Sequence, residues 1–155
     1  MDKDLLNSRI LLIDDNATDN FISKKILEKY GFDNIIESKT SGQTALKHLN
    51  EKSRNPVELP SIIFLDINMP VVDGFMFLYE FEKLPNVVKA KCKIVILSSS
   101  DNQNDIRRIV DNQFVKGFIT KPLSHDAIDE ISYTLNNDLD IKKAYLGKQA
   151  SITIR

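Results

Sequence analysis

Ile62-Ile63-Phe64-Leu65-Asp66-Ile67-Asn68-Met69-Pro70-Val71-Val72-Asp73-Gly74 is the stretch that decides the fold. Four large apolar residues run without a break, end on a charge, and open into a turn before the next helical pattern. An uninterrupted apolar run suits a strand buried on both faces, and open α/β sheets place their active groups at the carboxyl ends of such strands. Two other strands end in the same way. Arg9–Asp15 (RILLIDD) finishes on Asp14 and Asp15, and Lys93–Ser100 (KIVILSSS) reaches Ser98 directly after its apolar run. A fourth, short strand, Gly117–Thr120, hands over to Lys121-Pro122. Side by side, these strands would bring three carboxylates, a hydroxyl and an ammonium to one sheet edge. Such a set suits a divalent cation and a phosphoryl group.

Between the strands the pattern turns helical, and the alternation repeats five times, the signature of a doubly wound α/β sheet. Asn16 reads as the N-cap of a helix with Ile22, Ile26 and Tyr30 on one face. A second strand falls near Asn34–Ser38, and Thr40–Gln43 reads as a capping box before Ala45, Leu46 and Leu49. Arg54–Pro60 is a loop, Pro70 stiffens the segment after Asp66, and Asp73-Gly74 supplies turn chemistry with positive φ available at the glycine. Phe77, Leu78 and Phe81 mark a third helix, and Leu84–Cys92 is a connector. Ile106, Ile109 and Val110 give a short fourth helix. Ser124 caps the last one, which carries Ile128, Ile131 and Leu135 and runs to about Leu139.

The chain of 155 residues has the length of one domain, with 21 basic and 22 acidic residues. That balance offers no electrostatic case for nucleic acid. No apolar run approaches a membrane span, and Met1–Arg9 lacks a signal-peptide core. With Cys92 as its single cysteine the chain has no internal disulfide to form, and a cytoplasmic location is expected. His48 and His125 read as surface residues without metal-like spacing.

The ordered set of acidic pair, DxNMPxxDG, strand-ending Ser and Lys-Pro, each after its own strand, resembles the receiver domain of two-component response regulators. The match runs from about Arg9 to Leu139. With little sequence on either side (an extension at 1–8, a tail at 140–155, no output domain), the chain is similar to the stand-alone type, like the chemotaxis response regulator. The resemblance implies a flavodoxin-like five-stranded parallel sheet in the order 2-1-3-4-5 with five flanking helices. It implies Asp66 as phosphoacceptor and Mg²⁺ as cofactor. Asp15 would hold the metal directly, Asp14 mostly through water, and Asp66 and the Asn68 backbone carbonyl would complete the protein's share. Ser98 would bind a phosphoryl oxygen, together with Lys121. The segment back from Lys121 is one residue longer than the family's usual spacing, which keeps Ser99 open as the hydroxyl. Phe118 matches the aromatic switch position, acting with Ser98, and Pro122 is a candidate for a cis bond.

The function implied is a phosphorylation-controlled switch, not a metabolic enzyme. A histidine kinase or phosphotransfer protein would be the donor. The face of the fourth helix, fifth strand and last helix, with Ile109, Phe118 and Asp126–Glu130, would engage a downstream protein or a second copy. A phosphorelay shuttle is the alternative. A haloacid-dehalogenase-like phosphatase is disfavoured, because those enzymes carry a second Asp where this chain has Asn68. Each role has a plainer counterpart: Asp14, Asp15 and Asp66 as turn or cap residues, Lys121 as a solvated lysine, Phe118 as core.

Overall fold

Ile10–Ile13 form strand β1, and all four residues are buried. The computed structural model describes residues 6–32, 35–99 and 103–137. After β1 come α1 (Ala17–Tyr30), β2 (Ile36–Lys39), α2 (Gly42–Lys52), a 3-10 turn at Pro56–Glu58, and β3 (Ile62–Leu65). Then follow α3 (Gly74–Phe81), α4 (Asn86–Lys91), β4 (Lys93–Ser98), α5 (Gln103–Val110), β5 (Val115–Thr120) and α6 (His125–Asn136). The strands form one parallel sheet in the order β2-β1-β3-β4-β5.

Strand composition follows position in that order. The inner strands β1 and β3 are apolar throughout because both of their faces are covered. The edge strands are mixed: β2 is IESK, and β5 alternates buried Val115, Gly117 and Ile119 with exposed Lys116 and Thr120. Alternate residues of the sheet feed two cores. On one face Leu11, Ile13, Ile63, Leu65, Ile94 and Ile96 pack with Leu49, Phe77, Phe81, Val88 and Ile109 from α2 to α5. On the other, Ile10, Leu12, Phe64 and Val95 pack with Leu27, Ile128, Ile131 and Leu135 from α1 and α6.

Several local expectations are corrected. The buried stripe of α1 is Asn20, Ser23 and Leu27, with Ile26 and Tyr30 at its margin, while Ile22 faces solvent. The cap of α2 is Ser41, not Thr40. Its hydroxyl accepts from the Thr44 N–H, and the Thr44 hydroxyl reaches back to the Ser41 carbonyl. The Leu84–Cys92 connector contains a sixth helix, α4, which buries Val88. Strand β5 starts two residues early, at Val115, with a register shift against Ile94 and Val95. His48 is largely covered, its Nε2 3.0 Å from Glu37 Oε2. Leu139 and the tail at 140–155 lie outside the described residues, as do residues 1–5 of the amino-terminal extension. Cys92 is buried, and burial pushes its thiol up to about 12, so it is not a reactive thiol.

The loop from Asp66 to Gly74 is shaped by a close approach and by one strained residue. Asp73, expected to form a turn with Gly74 at positive φ, is instead the N-cap of α3 and accepts from the Met76 N–H at 2.8 Å. Gly74 opens that helix, and its N–H donates to the Ile67 carbonyl at 2.9 Å. A Cβ there would lie 2.7 Å from Ile67 Cα and 3.2 Å from the Asp66 carbonyl. The positive φ falls on exposed Val71, at 65°, inside a tight turn closed by Val72 N–H to Pro70 O. A β-branched residue is strained there.

Two substitutions in this loop should therefore act with opposite sign. Gly74→Ala should destabilise the fold by about 1–3 kcal/mol, since the new methyl meets backbone. Val71→Asn should stabilise it by about 1 kcal/mol, since Asn tolerates that conformation. Urea unfolding of both variants reads the two signs, and a neutral Gly74→Ala would refute the close approach.

Candidate functional site

The register of the sheet sets the site. Ile13 pairs with Leu65, so the next residues, Asp14 and Asp66, leave adjacent strands at one level. The ladder carries one step further on both, with Asp66 N–H donating to the Ile13 carbonyl and Asp14 N–H to the Lys39 carbonyl. Ser98 is the last residue of β4 and Thr120 the last of β5, paired in register, and Lys121 N–H donates to the Ser98 carbonyl at 2.9 Å. Four strand ends thus meet, as the residue types suggested.

The Asp66 carboxylate is buried, and both its oxygens are engaged. Oδ1 accepts from the Ser98 hydroxyl at 3.1 Å and from the Asn68 N–H at 3.2 Å. Oδ2 lies 3.3 Å from Lys121 Nζ. Ser98 is fully buried while Ser99 is exposed, so the hydroxyl that meets Asp66 is that of Ser98. The Asn68 side chain is exposed, and its backbone turns its N–H toward Asp66. The Lys121–Pro122 peptide bond is cis.

Asp14, Asp15 and Asp66 each present a carboxylate oxygen within 4.8 Å of the others. Asp14 and Asp66 are buried, and Asp15 is exposed at the rim. Hard oxygen donors with one side open to water are a set that can hold a divalent cation. The Asp14 carboxyl is raised above its ordinary value, chiefly by burial, with the hydrogen bond from Lys121 acting against the rise. Lys121 shows the reverse balance. Burial disfavours its charge, yet hydrogen bonds to Asp14 and Asp19 hold it firmly protonated.

Two residues of this site were not singled out from the sequence. Asp19, in the first turn of α1, sits 3.1 Å from Lys121 Nζ. Asn20, buried, donates its Nδ2 to the Asp14 carbonyl at 3.0 Å and to the Lys39 carbonyl at 3.3 Å, bolting α1 to the ends of β1 and β2. The apolar spacing of Ile22, Ile26 and Tyr30 leaves Asn20 off the expected face, so its burial and its need for partners emerge only in the fold. Asp19 looks like an ordinary first-turn acid, favourable near a helix N-terminus. Phe118 is half-buried and packs at the edge of the core under α2 to α5. Ile109 is fully buried, and so is not part of an exposed face as expected.

Comparison with known proteins places this geometry. Residues 10–132 match the response regulator receiver domain model. The chemotaxis protein CheY of Bacillus subtilis is 30% identical over 129 residues, covering 83% of this chain and 98% of that protein. A probable methanogenesis regulatory protein, FilR2, of Methanothrix harundinacea is 29% identical, covering 89% of this chain and 83% of that one. The crystal structure of a two-component response regulator from Cytophaga hutchinsonii superposes with a TM-score of 0.77 at 31% identity, covering 84% of this chain and 98% of that one. With the sheet order, the acidic strand ends and the lysine in their expected places, this chain belongs to the response regulator receiver domain family of two-component signalling.

Proposed function

We propose that the protein is a phosphorylation-controlled signalling switch in which Asp66 accepts a phosphoryl group from a histidine kinase or phosphotransfer protein. The observation that carries the reading is the bracketing of the Asp66 carboxylate, with Ser98 on one oxygen and Lys121 on the other. An Asp66 carboxylate oxygen attacks phosphorus, the O–P bond forms as the phosphohistidine P–N bond breaks, and the imidazole leaves with the electron pair. The Ser98 hydroxyl and the Lys121 ammonium then donate to the new phosphoryl oxygens, replacing their bonds to the free carboxylate. Asp14, Asp15 and Asp66 would hold Mg²⁺, with the Asn68 carbonyl as a further ligand. When bound, the cation offsets charge between the carboxylate and the incoming oxygens. No helix among the described residues is long and apolar enough to cross a membrane, and we place the protein in the cytoplasm. The receiver unit is taken as residues 9–139, between flanks at 1–8 and 140–155.

The output route follows from one backbone bond. Lys121 N–H to Ser98 O ties the end of β5 to the end of β4, so a shift of Ser98 toward a phosphoryl group pulls on β5 and on Phe118. The face of α5, β5 and α6 would then present two states, with a downstream protein or a second copy selecting one.

Acetyl phosphate with Mg²⁺ should add one phosphoryl group to the wild type and none to Asp66→Asn, read by intact mass and peptide mapping. Chelation of Mg²⁺ should abolish the adduct. An adduct on Ser98, Ser99 or a histidine would contradict the reading. Beryllofluoride should alter amide exchange along β5 and α6 more than along α2. Changes confined to the Asp66 loop would favour a phosphate shuttle instead.

A further inference from the structure

One carboxylate on Lys121 belongs to neither the strand ends nor the acidic cluster. Asp19 Oδ2 lies 3.1 Å from Nζ, with Asp14 Oδ2 at 2.5 Å and Asp66 Oδ2 at 3.3 Å. An ammonium has three donors, and these three acceptors can take all of them. Two of the acceptors also belong to the group that can hold a metal, and Asp19 does not. Given the Mg²⁺ site and acceptor proposed above, on which this inference rests, a conflict follows. The carboxylate nearest the ammonium is one the cation needs. Two positive charges compete for Asp14.

We propose that Asp19 is a positioning residue that retains Lys121 over the pocket when a cation takes Asp14, so that the ammonium stays within reach of oxygens arriving on Asp66. The placement of Asp19 fits the task. Its N–H is capped by Asn16 Oδ1 at 3.1 Å, and the next residue, Asn20, is bonded to the Asp14 and Lys39 carbonyls. The Asp19 backbone is therefore held in the same frame as the strand end it must work beside. Its side chain is 39% exposed, against 8% for Asp14 and 7% for Asp66. It keeps much of its hydration and can strengthen its pairing as Asp14 is withdrawn. The Lys121 side chain is only 16% exposed. An ammonium so far out of water resists losing a partner unless another is in place. Without Asp19, Lys121 would cling to Asp14 and oppose the cation.

The test is a double-mutant cycle of Asp19→Asn and Lys121→Met, read by Mg²⁺ titration of backbone NMR shifts and by the beryllofluoride concentration needed to form the adduct. Neither readout requires turnover, and the spectra report the fold of each variant. Asp19→Asn should weaken Mg²⁺ binding roughly fivefold in the chain that has Lys121, but less than about twofold beside Lys121→Met. Asp19→Glu should recover part of the loss. Equal weakening in both backgrounds would overturn the proposal, because Asp19 would then act only as a nearby negative charge. Unchanged binding in Asp19→Asn would overturn it as well. If the unsubstituted chain gives no Mg²⁺ shifts at Asp14, Asp15 and Asp66, the cation site and this inference both fall. Normal shifts there with an additive cycle remove this inference alone.

Discussion

A single ammonium holds the functional end of this sheet together. Lys121 reaches Asp14, Asp19 and Asp66 from the end of β5. Carboxylates gathered at buried strand ends repel one another and lose hydration, costs that a charge pairing must offset. The lysine supplies that pairing without filling the site. It engages Asp66 through one oxygen and leaves Asp15 free at the rim. With Asp14, Asp15, Asp19 and Asp66 against one ammonium the pocket keeps net negative charge, which suits a divalent cation that would in turn offset charge on an incoming phosphoryl group.

Everything else in the fold serves to bring that lysine and those carboxylates to one level. Parallel pairing in register puts the residues after Ile13 and Leu65 side by side, and β4 ends on a hydroxyl beside them. The two cores, one per face, hold the strands so that the ends cannot slip. Asn20 fixes α1 against β1 and β2, and Gly74 lets α3 start in contact with the Ile67 backbone. The acceptor loop is thus pinned at its base, and the strain at Val71 sits at its exposed tip.

How much of this was legible depended on whether a feature is local. The strands β1, β3 and β4 were readable because each is a short apolar run, of strand length and rich in branched residues, that stops abruptly on a polar residue. Asp14, Asp66 and Ser98 follow from those ends, and Lys121 from the end of β5. The stripe of α1 was misread because it is polar: Asn20 and Ser23 are buried beside the site, while Phe21 and Ile22 face out. A rule that places apolar residues inward fails where the buried surface is itself the polar end of a sheet. Gly74 was flagged for the wrong reason. The need for glycine came from a backbone packed against it, and the positive φ passed to a valine that no propensity would choose. Asp19 was out of reach, since its partner lies 102 residues along the chain. Helix α4 was hidden by its length, six residues with one buried side chain.

The most direct test of the account is a crystal structure with beryllofluoride and Mn²⁺ in place of Mg²⁺, using the anomalous signal to locate the metal. One metal should lie among Asp14, Asp15 and Asp66, with the fluoride adduct on an Asp66 oxygen, Ser98 Oγ and Lys121 Nζ on its fluorides, and Lys121 released from Asp14. A metal bound elsewhere, or an adduct formed while Lys121 stays on Asp14, would contradict it.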